Sequence, residues 1–291
     1  MKYQLLPTPK FLTEKDGVFL TDNCVIQLKG ELDYRVVKAA AGLRNSLCDG
    51  SFHKFCRVDG KLNNAISIAV DKNLKSEEYT LSICENSVEI VGGDEASCFY
   101  GIATLKQIIE AYGRELPCLE IKDFPDMAYR GFYHDATRGR VPSLEGTKKM
   151  VDRLAGLKVN SLQLYVEHPF DFIEFKNDGK TEDQYLTVED ILEIDQYCYD
   201  NFIDFVPSLS SFGHLYHLLM KEEYNAGKAE TIGNARDILI DLLCEIAPIS
   251  DCLKRRISSI KEIEAIMQLT VKAAQADSLE AFEEELSKMG F

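Results

Sequence analysis

Residues 129–138 read YRGFYHDATR, and the pattern of the chain changes at this stretch. A proline-containing connector, KDFPDMAYRG (122–131), leads into the β-rich run GFYHDA (131–136). Ser143 then suits the N-cap of a helix, because apolar residues recur behind it at helical spacing. These apolar residues are Met150, Val151, Leu154 and Leu157. The stretch therefore predicts a strand followed by an amphipathic helix.

The same strand-then-helix pattern recurs twice downstream. SLQLYVE (161–167) and IDFVPSLS (203–210) are typical of buried strands, and between them Thr187 to Asp190 form a capping-box pattern that begins a helix. Strands that alternate with helices pair in parallel through crossover connections. The sequence therefore predicts three βα units whose loops, where such folds place their sites, lie at one end.

Upstream, the chain has the pattern of a separate α+β domain. Three segments alternate apolar and polar residues, as strands of a half-buried sheet do. They are AISIAV (65–70), EYTLSIC (78–84) and SVEIVGG (87–93). An apolar stripe at helical spacing follows, which predicts a helix that covers the sheet. The stripe consists of Phe99, Ile102, Leu105, Ile108 and Ile109.

Beyond about Asn225 the sequence predicts helices only, and no strand pattern follows residue 210. A complete (β/α) barrel has eight strands and roughly 250 residues, so three units predict a partial barrel. The predicted fold class is α/β, with an N-terminal α+β domain (1–122), a partial TIM-type barrel (123–224) and a helical tail (225–291). We expect the tail helices, or the exposed edge of the partial barrel, to support homo-oligomer formation.

Composition excludes several classes of function. The net charge of −15 repels a phosphate backbone, so nucleic acid is not an expected partner. No apolar run reaches the length of about 18 residues that a membrane span needs. Nine cysteines lie scattered without a C-x-x-C pair or a Cys/His cluster, which predicts reduced thiols and no metal site. The first residues lack a secretory pattern, so we expect a cytoplasmic protein.

Three stretches of the chain resemble glycoside hydrolase family 20, the β-N-acetylhexosaminidases. They are YRGFYHDATR (129–138), LKVNSLQLYVEH (157–168) and VPSLSSFGH (206–214). LLPTPK (5–10) and the helix CFYGIATLKQ (98–107) resemble the α+β domain that precedes the barrel in this family. The resemblance spans about three quarters of the chain. It implies an N-acetylhexosamine-containing glycan as substrate and no cofactor.

The resemblance also implies a set of substrate-binding residues. A guanidinium offers a rigid fork of donors to adjacent hydroxyls, so Arg130 would hold the terminal sugar. Asp135 and Arg138 match a family pair whose role is mainly structural, although Asp135 is also a candidate contact. Glu167 and His168 stand where the family has two aspartates, and His214 matches an active-site histidine. The alternative is that Arg130 and Asp135 form an ordinary ion pair at a strand end.

Catalysis in the family is assisted by the sugar's own acetamido group and needs an adjacent Asp-Glu pair on the fourth barrel strand. The sequence contains one Asp-Glu dipeptide, Asp94-Glu95, in a predicted turn before the barrel, and we reject it as catalytic. The catalytic residues are therefore unassigned, and these 291 residues are expected to be a truncated enzyme with weak or no activity. The alternative functions are a non-catalytic carbohydrate-binding module, a helix-mediated assembly module, or a rearranged gene product without a selected function.

Residues after about 227 resemble a different family. They are similar to the helical tail of transposase-like nucleases of the PD-(D/E)XK group. The matching features are an initial G-K-A-E sequence, a leucine-rich helix, the K-E-I-E helix and a final A-D-S-L-E-x-F sequence. The nuclease core is not matched, so nuclease activity is not implied. The resemblance predicts a fusion whose seam lies near Tyr224 to Ile232.

Overall fold

The computed structural model describes residues 4–47, 55–138, 141–166 and 186–209. The first part of the described chain forms seven strands and two helices. They are β1 (Phe11–Leu20), β2 (Val25–Leu28), α1 (Tyr34–Ser46), β3 (Phe55–Arg57), β4 (Ala65–Val70), β5 (Tyr79–Cys84), β6 (Ser87–Gly92), α2 (Glu95–Tyr112) and β7 (Glu115–Asp123). The predicted sheet-rich N-terminal domain is confirmed, and the three predicted strands correspond to β4, β5 and β6.

The seven strands form one mixed sheet in the order β1-β7-β5-β6-β4-β2-β3. Pairing is antiparallel along β1, β7, β5 and β6, and parallel along β6, β4, β2 and β3. The outer strand β1 shifts its register against β7 between Glu14 and Val18, so residues 15–17 form a bulge opposite Cys118. The bulge includes Gly17 at a φ of 109°, which favours glycine.

The covering helix α2 lies directly against the sheet. All five residues of the predicted apolar stripe are buried, so that prediction is confirmed. Gly101 permits this close packing, because a Cβ there would lie 2.6 Å from Ile90 Cγ2 and 3.2 Å from Tyr79 Cδ2. Buried Tyr79, Leu81 and Ile83 alternate along β5 on the face toward the core. The helix and the sheet therefore share one apolar core.

The second part of the described chain contains β8 (Gly131–Asp135), α3 (Leu144–Gly156), β9 (Ser161–Val166), α4 (Val188–Asp200) and β10 (Asp204–Leu209). The strands form a three-stranded sheet in the order β10-β9-β8. Asn160 N–H donates to the Arg130 carbonyl, and Ala136 N–H donates to the Tyr165 carbonyl. Because both partner numbers rise together, β8 and β9 run in the same direction.

The start of α4 confirms one local prediction, and the end of α3 corrects another. Thr187 and Asp190 exchange backbone-to-side-chain hydrogen bonds of 3.0 and 3.1 Å, so the predicted capping box at the start of α4 is confirmed. The stripe of α3 was predicted to include Leu157, but the helix ends at Gly156 and Leu157 is 46% exposed. The chain turns immediately afterwards, because Lys158 adopts a φ of 60°.

Contacts divide the chain into two compact units: Met1–Tyr133, Glu145–Gln163 and Gln196–Val206 in one, and His134–Leu144, Leu164–Asp195 and Pro207–Phe291 in the other. The predicted domain boundaries at 122 and 224 stay predictions, and the predicted helical tail (225–291) lies outside the described residues. Within the described ranges, no helix combines the length and apolarity that crossing a membrane would take.

Candidate active site

The carboxyl end of β8 carries one candidate group of side chains. Asp135 closes the strand, and its Oδ1 accepts hydrogen bonds from the backbone N–H groups of Thr137 and Arg138 at 2.9 and 3.3 Å. Its Oδ2 accepts one from Arg138 Nη1 at 2.7 Å. The carboxylate thus fixes the turn that follows the strand and orients the guanidinium.

Arg138 is the more exposed member of this pair. Its side chain is 52% exposed, and its guanidinium lies 5.7 Å from the centre of the Tyr165 ring, within cation–π range. The hydrogen bond from Arg138 lowers the pKa of Asp135, so the carboxylate is ionised at neutral pH. The buried Thr137 hydroxyl beside the pair has no hydrogen-bond partner in the described chain. The carboxyl end of β8 therefore combines an exposed cation, an oriented carboxylate and a buried hydroxyl without a hydrogen-bond partner.

Arg130, at the opposite end of β8, lies in a different environment, which we call the buried charge network: Glu77, Tyr79, Tyr100, Asp123, Arg130 and Lys158. The guanidinium of Arg130 makes a two-pronged pair with Glu77 at 2.6 and 3.2 Å and also donates to Tyr100 Oη at 3.0 Å. Its remaining N–H groups donate to the carbonyls of Lys158, Met127 and Ala128. Six protein oxygens therefore surround five N–H donors.

The second half of the buried charge network centres on Lys158. Its ammonium donates to Asp123 Oδ2 at 2.7 Å and to Tyr79 Oη at 2.8 Å, and its side chain is 8% exposed. Burial lowers the pKa of Lys158, and the charge of Asp123 opposes that shift. Burial also raises the pKa of Tyr79 well above its usual value, so the phenol stays protonated. The network thus satisfies each buried charge with a partner.

Two members of the network have strained backbones. Glu77 and Lys158 adopt φ angles of 58° and 60°, in the left-handed region that residues with a Cβ rarely occupy. Their side chains are nevertheless anchored by Arg130 and Asp123 respectively. A cavity of about 220 Å³ beside the network is lined by Tyr79, Tyr100, Asp123, Arg130 and Lys158 among others. Ligand pockets usually measure about 300–1,000 Å³, so this cavity is small for a glycan.

These contacts bear on the predictions for Arg130 and Asp135. The alternative of an ion pair between the two is not what the structure contains, because Arg130 pairs with Glu77 and Asp135 pairs with Arg138. The predicted sugar-binding role of Arg130 stays a prediction. All N–H groups of the Arg130 guanidinium already donate to protein acceptors. A sugar hydroxyl would have to displace one of these acceptors to bind Arg130.

The other predicted site residues have separate outcomes. Asp94 is the N-cap of α2, where its carboxylate accepts from Ser97 N–H at 2.8 Å and Ser97 Oγ accepts from Asp94 N–H at 2.8 Å. This capping role supports the rejection of Asp94-Glu95 as a catalytic pair. Glu167, His168 and His214 lie outside the described residues, and their assignments stay predictions.

Sequence reasoning did not find Glu77, Tyr100 or Lys158. Each is distant in sequence from Arg130, and no local spacing pattern indicates that they converge. A glutamate that precedes another glutamate in a polar turn, as Glu77 does, is typical of a solvated surface. Among the residues that the structure describes, no group of three or more His, Cys, Asp or Glu side chains could hold a metal ion.

Comparison with known proteins shows which family model the first part of the chain is similar to. Residues 2–124 match the family model described as glycosyl hydrolase family 20, domain 2. Together with the mixed α/β fold, this match supports a relationship to the family 20 glycoside hydrolases.

The chain is also similar to individual curated beta-hexosaminidases. The chain is 30% identical over 237 residues to a beta-hexosaminidase of Porphyromonas gingivalis, covering 72% of this chain and 30% of the relative. It is 25% identical over 228 residues to beta-hexosaminidase B of Pseudoalteromonas piscicida, covering 67% of this chain and 29% of that protein. The chain thus spans about 30% of the length of these curated relatives.

Solved structures show the same fold. The chitobiase of Flavobacterium johnsoniae superposes with a TM-score of 0.70 at 20% identity, covering 96% of this chain and 51% of that chain. The beta-N-acetylhexosaminidase of Bacteroides fragilis superposes with a TM-score of 0.67 at 21% identity, covering 83% of this chain and 54% of that chain. At these identities the likeness shows the fold alone.

Proposed function

We propose that this chain is a β-N-acetylhexosaminidase-like glycoside hydrolase whose sugar site lies at the carboxyl ends of β8, β9 and β10. The observation that carries the proposal is the Asp135–Arg138 pair at the carboxyl end of β8, in a chain whose preceding residues match domain 2 of family 20. Folds built from βα units place their sites at the carboxyl ends of their strands. In this proposal β8–α3–β9–α4–β10 is the start of a partial (β/α) barrel, and a helical tail of the nuclease-like type follows it.

Within this site we propose Arg138, in place of the sequence-predicted Arg130, as the arginine that contacts the sugar, and Arg130 as a structural residue. Arg138 follows the carboxyl end of β8 and is about half exposed, whereas Arg130 precedes the strand and is 17% exposed. Asp135 positions Arg138 through the 2.7 Å bond to Nη1. Glu167, His168 and His214 would supply further contacts from the ends of the next two strands.

The chemistry that the resemblance implies is attack of the substrate's 2-acetamido oxygen on the anomeric carbon, while a carboxylic acid protonates the leaving oxygen. That chemistry needs an Asp-Glu pair on a strand, and the sequence offers Asp94-Glu95 alone, which caps α2. Loss of a general acid costs about 10²- to 10⁴-fold in rate. The 291-residue chain should therefore bind the sugar but turn over little or none of it.

The test combines turnover and binding on the full chain. We expect no release of nitrophenol from nitrophenyl N-acetyl-β-glucosaminide above the blank, and we expect N-acetylglucosamine, but not glucose, to give saturation-transfer NMR signals. Arg138→Ala should remove the binding signal while the far-UV circular dichroism stays unchanged. Glu189→Gln, in the first turn of α4, is a matched surface control that should keep the signal.

Two results would contradict the proposal in different ways. Clear turnover that Arg138→Ala abolishes would show that the chain is an active hydrolase and would overturn the inactive assignment. Absence of any sugar signal from a folded chain would overturn the sugar site. In that case light scattering would test the remaining alternative, a helix-mediated assembly module.

A further inference from the structure

Two cysteines lie opposite each other on neighbouring strands of the N-terminal sheet. The antiparallel register of β5 and β7 ends with Ile83 paired to Leu119. Extending that register by one residue sets Cys84 opposite Cys118. Directly opposed residues of antiparallel strands have Cα atoms about 4.5–5.5 Å apart, within the range of about 4.4–6.8 Å that a disulfide needs. Opposed side chains also share one face of a sheet. The two thiols, both free, therefore meet the backbone requirement for a disulfide.

The two thiols differ in access to solvent. Cys84 is exposed, and its Sγ lies 3.6 Å from the hydroxyl of Ser82. Cys118 is 3% exposed because the bulge of β1 covers it: a Cβ added at Gly17 would lie 3.2 Å from Cys118 Sγ. A small oxidant in solution therefore reaches Cys84 and not Cys118.

Charged groups around the pair reinforce this asymmetry. Burial, followed by the nearby Cys84 and Glu85, raises the pKa of Cys118, while Lys15 acts in the opposite direction. Both sulfurs in turn raise the pKa of Lys15, whose main partner is the carboxylate of Glu120. These mutual effects support the proximity that the strand register implies. The raised pKa keeps Cys118 mainly protonated at neutral pH, so only a small thiolate fraction is available to attack and Cys118 reacts second.

We propose that Cys84 and Cys118 form a peroxide-sensitive thiol pair, in which Cys84 is oxidised first and Cys118 resolves it to a disulfide. The Cys84 thiolate attacks one oxygen of hydrogen peroxide, the O–O bond breaks, and the departing hydroxide takes up a proton to leave as water. The sulfur of Cys118 then attacks the sulfenic sulfur of Cys84, the S–O bond breaks, and a second water leaves with the Cys118 proton. Two thiols lose two electrons, and one peroxide becomes two waters.

The other described cysteines lack this combination. Cys24, Cys98 and Cys198 are buried, and Cys98 donates to the Ala69 carbonyl at 3.2 Å while burial raises its pKa to about 12. Cys56 is partly exposed on β3, at the far end of the strand order.

The experiment treats the purified full chain with hydrogen peroxide, removes the peroxide, and blocks remaining thiols with iodoacetamide in denaturant so that buried cysteines also react. Digestion with trypsin and a glutamate-specific protease follows, without reductant. This digestion separates Cys84 (residues 79–85) from Cys98 and releases Cys118 in residues 116–120. We expect a cross-linked pair of these two peptides, lighter by two hydrogen atoms than their sum, that dithiothreitol converts back to separate peptides.

Three variants make the result specific. Cys84→Ser should give no cross-link and leave Cys118 alkylated, whereas Cys118→Ser should leave Cys84 as a sulfenic acid that dimedone labels. Cys56→Ser is the matched control and should keep the cross-link. Oxidation of Cys84 to sulfinic acid in the unaltered folded chain, or its pairing with another cysteine, would overturn the proposal. If Cys118→Ser fails to fold, the unaltered chain and the exposed-site variant Cys84→Ser still decide the outcome.

Discussion

At the scale of single residues, two arginines on either side of one strand show how the same side chain takes different roles. Arg130 is held by a carboxylate, a phenol and three carbonyls, and it is largely covered. Arg138 pairs with Asp135 and stays about half exposed. Paired buried charges chiefly maintain structure, whereas an exposed, oriented guanidinium at a strand end can bind a ligand.

Replacing each arginine by methionine should separate these roles. Arg130→Met leaves Glu77 largely covered without its cation, so the free energy of unfolding should fall by about 3 kcal/mol. Arg138→Met breaks an exposed pair and should cost less than about 1 kcal/mol. Urea unfolding followed by far-UV circular dichroism measures both. Equal losses for the two variants would contradict the assignment of Arg130 as structural.

The sequence predicted a site at one segment but did not indicate which of its two arginines is accessible. A family pattern places both residues near β8, and that much follows from YRGFYHDATR. Burial of Arg130 depends on Glu77 and Tyr100, which reach it from β5's preceding turn and from α2. Such long-range convergence has no local period, so it requires the folded coordinates.

At the scale of elements, local patterns explain what was predicted and what was missed. β5 alternates buried residues with more accessible ones, and α2 carries buried apolar residues at helical spacing, so both elements were predicted from their sequences. β1 (FLTEKDGVFL) was not predicted, because its central EKDG is typical of a turn. The structure accommodates EKDG as an edge-strand bulge, a solution that depends on pairing with the distant β7.

The capping box of α2 gives a prediction at this scale. Asp94→Ala should lower the free energy of unfolding by about 0.5–2 kcal/mol, because Ser97 N–H loses its acceptor. Asp94→Asn should retain much of the cap, and Glu95→Gln, in the first helical turn, is the neighbouring control with a small effect. Urea midpoints measure the series. A Glu95→Gln loss as large as that of Asp94→Ala would contradict the capping assignment.

The same carboxylate predicts a pH dependence. Burial opposes ionisation of Asp94, but hydrogen bonds from Ser76, Ser97 and Glu77 outweigh it, so the pKa is lowered from its usual value of 3.8. A lowered carboxyl pKa contributes stability above the unfolded value and loses it as the pH falls through the folded value. The stability difference between the unaltered chain and Asp94→Asn should therefore shrink below about pH 4. A constant difference down to pH 2 would contradict this.

At the scale of the whole molecule, the buried charge network connects residues that are far apart in sequence within one compact unit. Asp123 and Glu77 come from the N-terminal sheet region, and their cations, Lys158 and Arg130, come from the later βα segment. Lys38 of α1 likewise pairs with Asp200 at the end of α4 at 2.6 Å. The N-terminal region therefore depends on later residues for charge neutralisation.

A fragment that ends at residue 126 should show this dependence. Without Lys158, the buried carboxylate of Asp123 loses its cation, at a cost of about 3 kcal/mol. Amides of β5 should then exchange with deuterium on the order of 100-fold faster than in the full chain. The fragment with Asp123→Leu should recover part of the protection, because no charge remains to be buried. Equal protection in the fragment and the full chain would contradict the dependence.

The bulge of β1 has a consequence for how molecules of this kind coexist at high concentration. A regular edge strand offers unpaired N–H and C=O groups on which a second sheet can grow. Residues 15–17 interrupt that row on the ten-residue outer strand, and Lys15 and Asp16 place opposite charges at the interruption. A second sheet therefore cannot pair regularly along the whole of this edge. A crowded solution of such domains can hold many copies without one serving as a template for fibril growth along this edge.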